Sequence, residues 1–374
     1  MFNPQRLVLA RKRRGLTATE LARRVALTGQ SISNYERGRS TPSARTLDRI
    51  AAELGFPLPF FSGPDIPDLP EPALAFRART KLAASQRDAA RGAACLAIEF
   101  NSWLERHFRL PEPDVPTLDK PDPETAAEMV RSRWALGTTP IPNTVHLLEA
   151  HGVRVFSLAT DCTEVDAFSF WHNGRPFVIL NMLKSAERGR FDAAHELGHL
   201  VLHSGSAPHD EFEANAFAAA VLMPRTSIQE QLPPSPLLTH ILRAKHAWKV
   251  SALALTYRLH DLGLLTDWQY RHTCVELAKR GYRRAEPDGL PRENSQLLTK
   301  VWQHLRHTGT TPTDAAAALN ITPEDLHSLT FGLTLGPTPG SGGFPGTGTP
   351  LVRPKLALVR DPDGRRPPAE QAGN

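Results

Sequence analysis

The sequence predicts an α+β protein that is mostly helical. Three observations carry this expectation. The first 58 residues break into short segments with helix start and stop signals. Residues 153–181 switch to period-two alternation, with Asn173-Gly174 between two of the runs. Residues 211–224 and 235–334 return to helical spacing.

The elements follow in order. Thr17 precedes Glu20 by three residues, the capping-box spacing that opens a helix over Ala18 to Val25. Thr28 opens the next helix, Gly29 to Arg37, and Gly38 closes it. Pro42-Ser43 opens another, which Gly55 closes. Four or five short helices joined by tight turns make residues 1–58 a helix-turn-helix domain. Six prolines between Pro57 and Pro72 then forbid continued helix or central strand, so 59–73 reads as a linker. Residues 74–120 form a helical connector whose apolar positions include Leu82, Leu96, Phe100, Trp103 and Leu104. The stretches ending at Gly137 and at Gly152 are each shaped like a helix with a glycine stop. VRVFSL, AFSFW and FVILN alternate, and the last two flank His172-Asn173-Gly174-Arg175, a strong hairpin signal. A small antiparallel sheet is therefore expected within a second domain, 121–232. A helical region, 233–334, follows. Residues 335–374 are too rich in Gly, Pro and Thr to bury a core and are expected to be a disordered tail.

Composition removes several classes of function. The longest apolar run, Ala216 to Met223, is far short of a membrane span, and the N-terminus lacks a secretory pattern, so a cytoplasmic protein without a membrane partner is expected. Three scattered cysteines (Cys95, Cys162, Cys274) give no disulfide framework and no sulfur-rich metal site. The formal charge of +5 is unevenly spread. Residues 1–50 hold eleven Lys/Arg against three acids, a balance of +8, which leaves −3 for the remaining 324. Contact with nucleic acid is therefore expected of the first domain.

Within that domain the second motif helix offers Gln30, Ser31, Ser33 and Asn34 around the apolar anchors Ile32 and Tyr35. Amides and hydroxyls there can read base edges in a major groove. Arg13, Arg14, Arg37 and Arg39 are candidates for phosphate contacts, which position without specifying. The stretch RKRRGLTATELARRVALTGQSISNYERGRSTPSARTLDRIAAELG resembles the XRE (Cro/C1-type) helix-turn-helix family. It departs from that family at Ala26, where the turn usually has glycine, and at Gly29, where a glutamine often contacts bases. The resemblance implies a double-stranded DNA operator as partner, with a homodimer left open.

His195-Glu196-Leu197-Gly198-His199 reads HExxH. Residues four apart on a helix share a side, so both imidazoles can reach one ion while Glu196 projects beside them. Zinc suits such ligands but needs a third one, and a neighbouring carboxylate can take the proton of a water that zinc acidifies. The motif is expected by chance only about 0.03 times in this composition. Leu202 and Gly205 stand where a metzincin would have Gly and His, which excludes that class. Asp210, Glu211 and Glu213 downstream are the candidates for the third ligand. Glu213 is preferred, because it shares a helix face with Phe217 and Ala220, whereas Glu211 points about 200° away from it. His203 is too far from His195 to bind the same ion easily, by about 12 Å along the axis.

WALGTTPIPNTVHLLEAHGVRVF, FVILNMLKSAERGRFDAAHELGHLVLH and FEANAFAAAVLMP look like the ImmA/IrrE-type metallopeptidase family. The resemblance covers roughly 74–334 and implies a zincin-like fold for 121–232. It further implies one Zn²⁺ per chain (Mn²⁺ is the alternative), held by His195, His199 and Glu213, with Glu196 as catalytic base. His203 and Tyr257 are candidates for substrate or supporting contacts. The strand FVILN is expected to offer an edge to an extended peptide. A DNA-binding regulator with a built-in zinc endopeptidase follows. Its expected substrate is a helix-turn-helix repressor or its own linker. The alternative is a regulator whose peptidase-like domain senses a metal or ligand without cutting.

Overall fold

Helices α1 (Pro4–Arg13), α2 (Ala18–Arg24), α3 (Gly29–Glu36) and α4 (Ala44–Leu54) and a 3₁₀ turn (Leu58–Ser62) form the head. Their starts are those the sequence signals. Thr17 Oγ1 accepts from Glu20 N–H and the Glu20 carboxylate accepts from Thr17 N–H, closing the capping box. Thr28 and Ser43 cap α3 and α4 by accepting from Ser31 N–H and Thr46 N–H, without a reciprocal carboxylate, and Gly55 ends α4 at φ +61°. Leu7, Leu21, Ile32, Ile50, Leu54, Phe60 and Phe61 fill the head's interior.

The computed structural model describes residues 1–65, 69, 77–78, 83–119, 121–158, 162, 164–202, 211–283, 286–334 and 357–358. Residues 66–68 and 70–73 of the linker, His203, Asp210, and the expected tail apart from 357–358 lie outside the described residues.

The body begins with β1 (Arg77–Ala78), the long α5 (Ala84–His107) and β2 (Phe108–Arg109). Next come α6 (Pro123–Arg133), α7 (Thr144–Ala150), β3 (Arg154–Ser157), β4 (Val165–His172) and β5 (Arg175–Leu180). Then α8 (Ala186–Leu202), α9 (Glu211–Leu222), α10 (Arg225–Gln231), α11 (Leu238–Trp248), α12 (Ala252–Asp261) and α13 (Asp267–Lys279) follow. The helices α14 (Gln296–His307), α15 (Pro312–Ala318) and α16 (Pro323–Thr330) and the short β6 (Ala357–Leu358), which pairs with β2, complete the chain.

The sheet order is β1-β4-β5-β3. The β4–β5 hairpin turns at Asn173-Gly174, both at positive φ, as the Asn-Gly signal predicts. The sheet is mixed, not wholly antiparallel, because β3 pairs with β5 in parallel. The chain leaves β3, passes the neighbouring position, lays down β4 and returns as β5 into the gap. That path also places FVILN in the middle of the sheet. β5 is bonded on both sides, so it has no edge to offer. Among the described residues, β1 meets β4 only at Val165 and Ala167, and the outer side of Phe168–His172 has no strand neighbour.

Alternation assigns the two faces of β4. Phe168 and Phe170 pack with Phe177, Phe156 and, from α5, Phe100, with Phe170 and Phe177 stacked at 4.9 Å. Ser169 points to the opposite face, covered by α8. One side of the sheet is therefore aromatic core, and the other is the floor beneath the HExxH helix.

The head is bound to the body by charge. Arg14 makes a bidentate pair with Asp325 at the start of α16 (2.7 and 2.8 Å), and Arg13 lies 3.7 Å from the same carboxylate. Burial works to raise the Asp325 pKa, but the two guanidiniums hold it below the ordinary carboxylate value. Lys12 pairs with Asp88, and Arg6 with Glu99, both on α5. Gly92 of α5 lets α1 approach closely, since a Cβ there would stand 2.9 Å from Arg13 Cα.

The turn between α2 and α3 is strained at one residue. Ala26 sits at φ +49° on the surface, while Leu27 N–H closes on Ala22 O at 2.8 Å. A side chain in that region costs about 1–2 kcal/mol, partly offset by the greater unfolded-state freedom of glycine. Ala26→Gly is therefore expected to stabilise the head by about 0.5–1 kcal/mol, read as a raised denaturation midpoint at constant slope.

Candidate metal centre and nucleic-acid interface

The metal-binding geometry begins with a contact between two helices. A Cβ on Gly198 would stand 3.1 Å from Phe217 Cδ1 and 3.3 Å from Ala214 Cα and O. Glycine lets α8 and α9 meet here without crowding. Two buried arginines hold the far end of α9. Arg131 of α6 donates to Val221 O (2.6 Å) and Arg258 of α12 to Met223 O (3.1 Å). Burial lowers the Arg131 pKa to about 10, which leaves it charged at neutral pH. With its body fixed in this way, α9 presents its first turn to the HExxH motif.

Three side chains converge there: His195, His199 and Glu211. The two Nε2 atoms are 3.0 Å apart. Glu211 Oε2 lies 3.3 Å from His195 Nε2, and Glu211 Oε1 lies 3.4 Å from His199 Nε2. Both histidines are buried, while Glu211 is half exposed. Hydrogen bonding from the two imidazoles holds the Glu211 carboxyl well below the usual carboxylate range. Zinc bonds of about 2.0–2.1 Å in a tetrahedron place neighbouring donors about 3.3 Å apart. The donor set thus fits a zinc-sized ion in both chemistry and spacing.

The carboxylate beside the histidines is Glu211, in place of the expected Glu213. The two are about 200° apart around the helix, so when one faces the histidines the other points away. Periodicity cannot choose between them because α9 is buried nearly all round. Ala214 and every residue from Phe217 to Leu222 are in the core, and such a helix has no single apolar face to read. A usable signal lay at Asn215, four residues on and on the same side as Glu211. Its Nδ2 donates to Glu211 O (2.6 Å), which turns its Oδ1 to accept from His195 Nδ1 (3.1 Å). That bond orients the His195 ring so that Nε2 faces the other donors.

Glu196 is fully buried beside the histidines. Ser169 of β4 donates to its Oε2 at 2.7 Å, a contact the sequence did not signal because the two lie 27 positions apart. Tyr257 is brought elsewhere. It is half exposed on α12, and its ring contacts Tyr270 of α13 at 6.5 Å.

In the head, Gln30 is exposed on α3, Ser31, Ser33 and Asn34 are half-buried, and Arg37 and Arg39 are exposed just beyond the helix. Gln30 and Asn34 are joined by a 2.9 Å bond between their amides. Arg13 and Arg14 do not belong to this surface. The first is buried, and both are committed to Asp325. The exposed cations of the head are instead Arg23, Arg24, Arg37, Arg39, Arg45 and Arg49, of which Arg24 pairs with Glu53.

Comparison with known families agrees with this division. Residues 7–61 match the helix-turn-helix family model, and residues 148–260 match that of the IrrE N-terminal-like domain of the M78 peptidases. The chain joins an XRE-type helix-turn-helix domain to an IrrE-like domain. The IrrE-like match begins within α7 and ends within α12, so it contains β3, β4 and β5, the HExxH helix and Glu211. A search of the curated proteins finds no match to the chain. Among the described residues, no helix is long and apolar enough to cross a membrane.

Asn215→Ala removes the partner that orients His195. It is expected to weaken zinc affinity by about 10–100-fold, measured by competition with a chromophoric chelator, with little change in helix content.

Proposed function

We propose that this chain is a DNA-binding regulator carrying a zinc-dependent endopeptidase. The observation that carries the reading is the convergence of His195, His199 and Glu211 beside Glu196. Bound zinc supplies Lewis acidity and lowers the pKa of water towards about 7. The rest is done by the protein. His195, His199 and Glu211 hold the ion, and Asn215 orients the ring of His195. Glu196 takes the proton of the attacking water and passes it to the leaving amine. Ser169 keeps the Glu196 carboxylate in place through Oε2. The buried floor formed by β4 excludes bulk water and strengthens these electrostatic contacts.

The substrate is an extended peptide that adds antiparallel to the outer side of β4 along Phe168–His172. Main-chain bonds there hold a strand directly over Ser169 and Glu196. A helix-turn-helix repressor, or the chain's own linker at 59–73, is the substrate class that links cleavage to transcription. The head binds a DNA operator through α3, with Arg37 and Arg39 on phosphates. The setting is the cytoplasm.

The test is incubation of the wild type and Glu196→Gln with co-encoded repressors, with and without chelator. Wild type is expected to cleave, and chelator to stop it. Glu196→Gln is expected to keep stoichiometric zinc and DNA binding while losing cleavage. Normal cleavage by the variant would remove Glu196 as the base. Stoichiometric zinc in the wild type with no cleavage of any repressor or of the linker would favour a sensor that does not cut.

A further inference from the structure

A cavity flanks the first turns of α8 and the start of α12. Its volume is about 250 Å³. Drug-sized pockets run from roughly 300 to 1,000 Å³, so this one suits a smaller ligand. Phe191, Leu253 and Ala254 give it an apolar wall. Ser185, Ser251 and Tyr282 are neutral, the other five lining residues are charged, and the charges are not evenly matched.

Three acids line the cavity. Asp192 is 2.9 Å from Lys184 Nζ. Glu286 is 2.9 Å from Lys245 Nζ, and its other oxygen accepts from Ala252 N–H at 3.0 Å. Glu187 has no such cation among the described residues. It is 2% exposed, its Oε1 accepts from Leu290 N–H at 2.7 Å, and its Oε2 meets no hydrogen-bond donor. A buried carboxylate with one oxygen unmatched is costly, so a polar partner at this position would be bound favourably. At the mouth, Arg188 and Arg283 are exposed, and neither has an ion-pair partner among the described residues. The cavity therefore presents a negative floor, an apolar wall and a positive rim.

We propose that this cavity binds a free basic amino acid. The side-chain cation lies on Glu187, the methylenes pass Phe191 and Leu253, and the α-carboxylate sits between Arg188 and Arg283. A simple cation would leave the rim unmatched, and a simple anion would leave Glu187 unmatched. Only a zwitterion with separated charges satisfies both ends. Occupancy acts on the helix that carries His195 and His199, two to three turns from Glu187. This ligand site stands whether or not the metal centre cleaves peptides.

The test is calorimetric titration of the full chain with L-arginine, L-lysine and agmatine, which has the guanidinium of arginine but no carboxylate. The expected result is saturable binding of arginine or lysine, with agmatine at least about tenfold weaker. Glu187→Gln is expected to reduce arginine binding at least about tenfold while melting no lower than the wild type, because it removes an unmatched buried charge. Arg283→Ala, on the exposed rim, is expected to weaken arginine and leave agmatine unchanged, which keeps the test decisive if the Glu187 variant fails to fold. The proposal is overturned if neither amino acid binds, if agmatine binds as tightly as arginine, or if a folded Glu187→Gln binds as the wild type does.

Discussion

The close approach of α8 and α9 at Gly198 is the constraint on which the metal centre depends. The HExxH motif supplies two imidazoles from one helix by itself, since its residues are one turn apart. The third donor must come from elsewhere, and its position is a packing result. Ala214 and Phe217 lie against Gly198, and Arg131 and Arg258 hold the carbonyls at the far end of α9. Once these contacts are made, Glu211 and Asn215 fall beside the histidines. A methyl group at position 198 would be tight against Phe217 and the Ala214 backbone, and larger side chains would crowd α9 further. The small residue in the centre of the motif thus helps set where Glu211 stands beside the histidines.

A second packing result concerns the head. The sequence shows a block of positive charge at 1–50, which resembles a uniform DNA-binding surface. The structure divides that block by function. Arg6, Lys12, Arg13 and Arg14 are matched by Glu99, Asp88 and Asp325 of the body, while Arg11 and Arg24 pair with Glu36 and Glu53 within the head. Five exposed arginines, Arg23, Arg37, Arg39, Arg45 and Arg49, have no ion-pair partner among the described residues. The acids that give the body its negative balance are in part the counter-charges of this joint. Because the arginines of α1 meet α16, which itself packs on β3, the head is mechanically continuous with the sheet of the IrrE-like domain.

Local signals were readable in the sequence and long-range ones were not. The Thr17–Glu20 capping box, the Thr28 and Ser43 caps, the Asn173-Gly174 hairpin and the two imidazoles all depend on residues within four positions of each other. Their chemistry is complete at that range. The parallel pairing of β3 with β5 depends on the path of the connection between β3 and β4, where no periodicity records strand order. The pairing of Arg14 with Asp325 spans 311 positions, so the phosphate role assigned to Arg13 and Arg14 could not be checked from neighbouring residues. Ser169 was hidden for the same reason. The choice between Glu211 and Glu213 failed differently. Hydrophobic periodicity identifies the buried side of a helix, and α9 is buried on almost every side, so the criterion had nothing to discriminate.

The most direct test of this account is the zinc content of Glu211→Gln and Glu213→Gln after dialysis against a mild chelator, with circular dichroism to show that both remain folded. The account predicts that Glu211→Gln loses its zinc while Glu213→Gln keeps it in stoichiometric amount. Retention by the first variant and loss by the second would contradict the packing of α8 on α9 from which the metal centre has been derived.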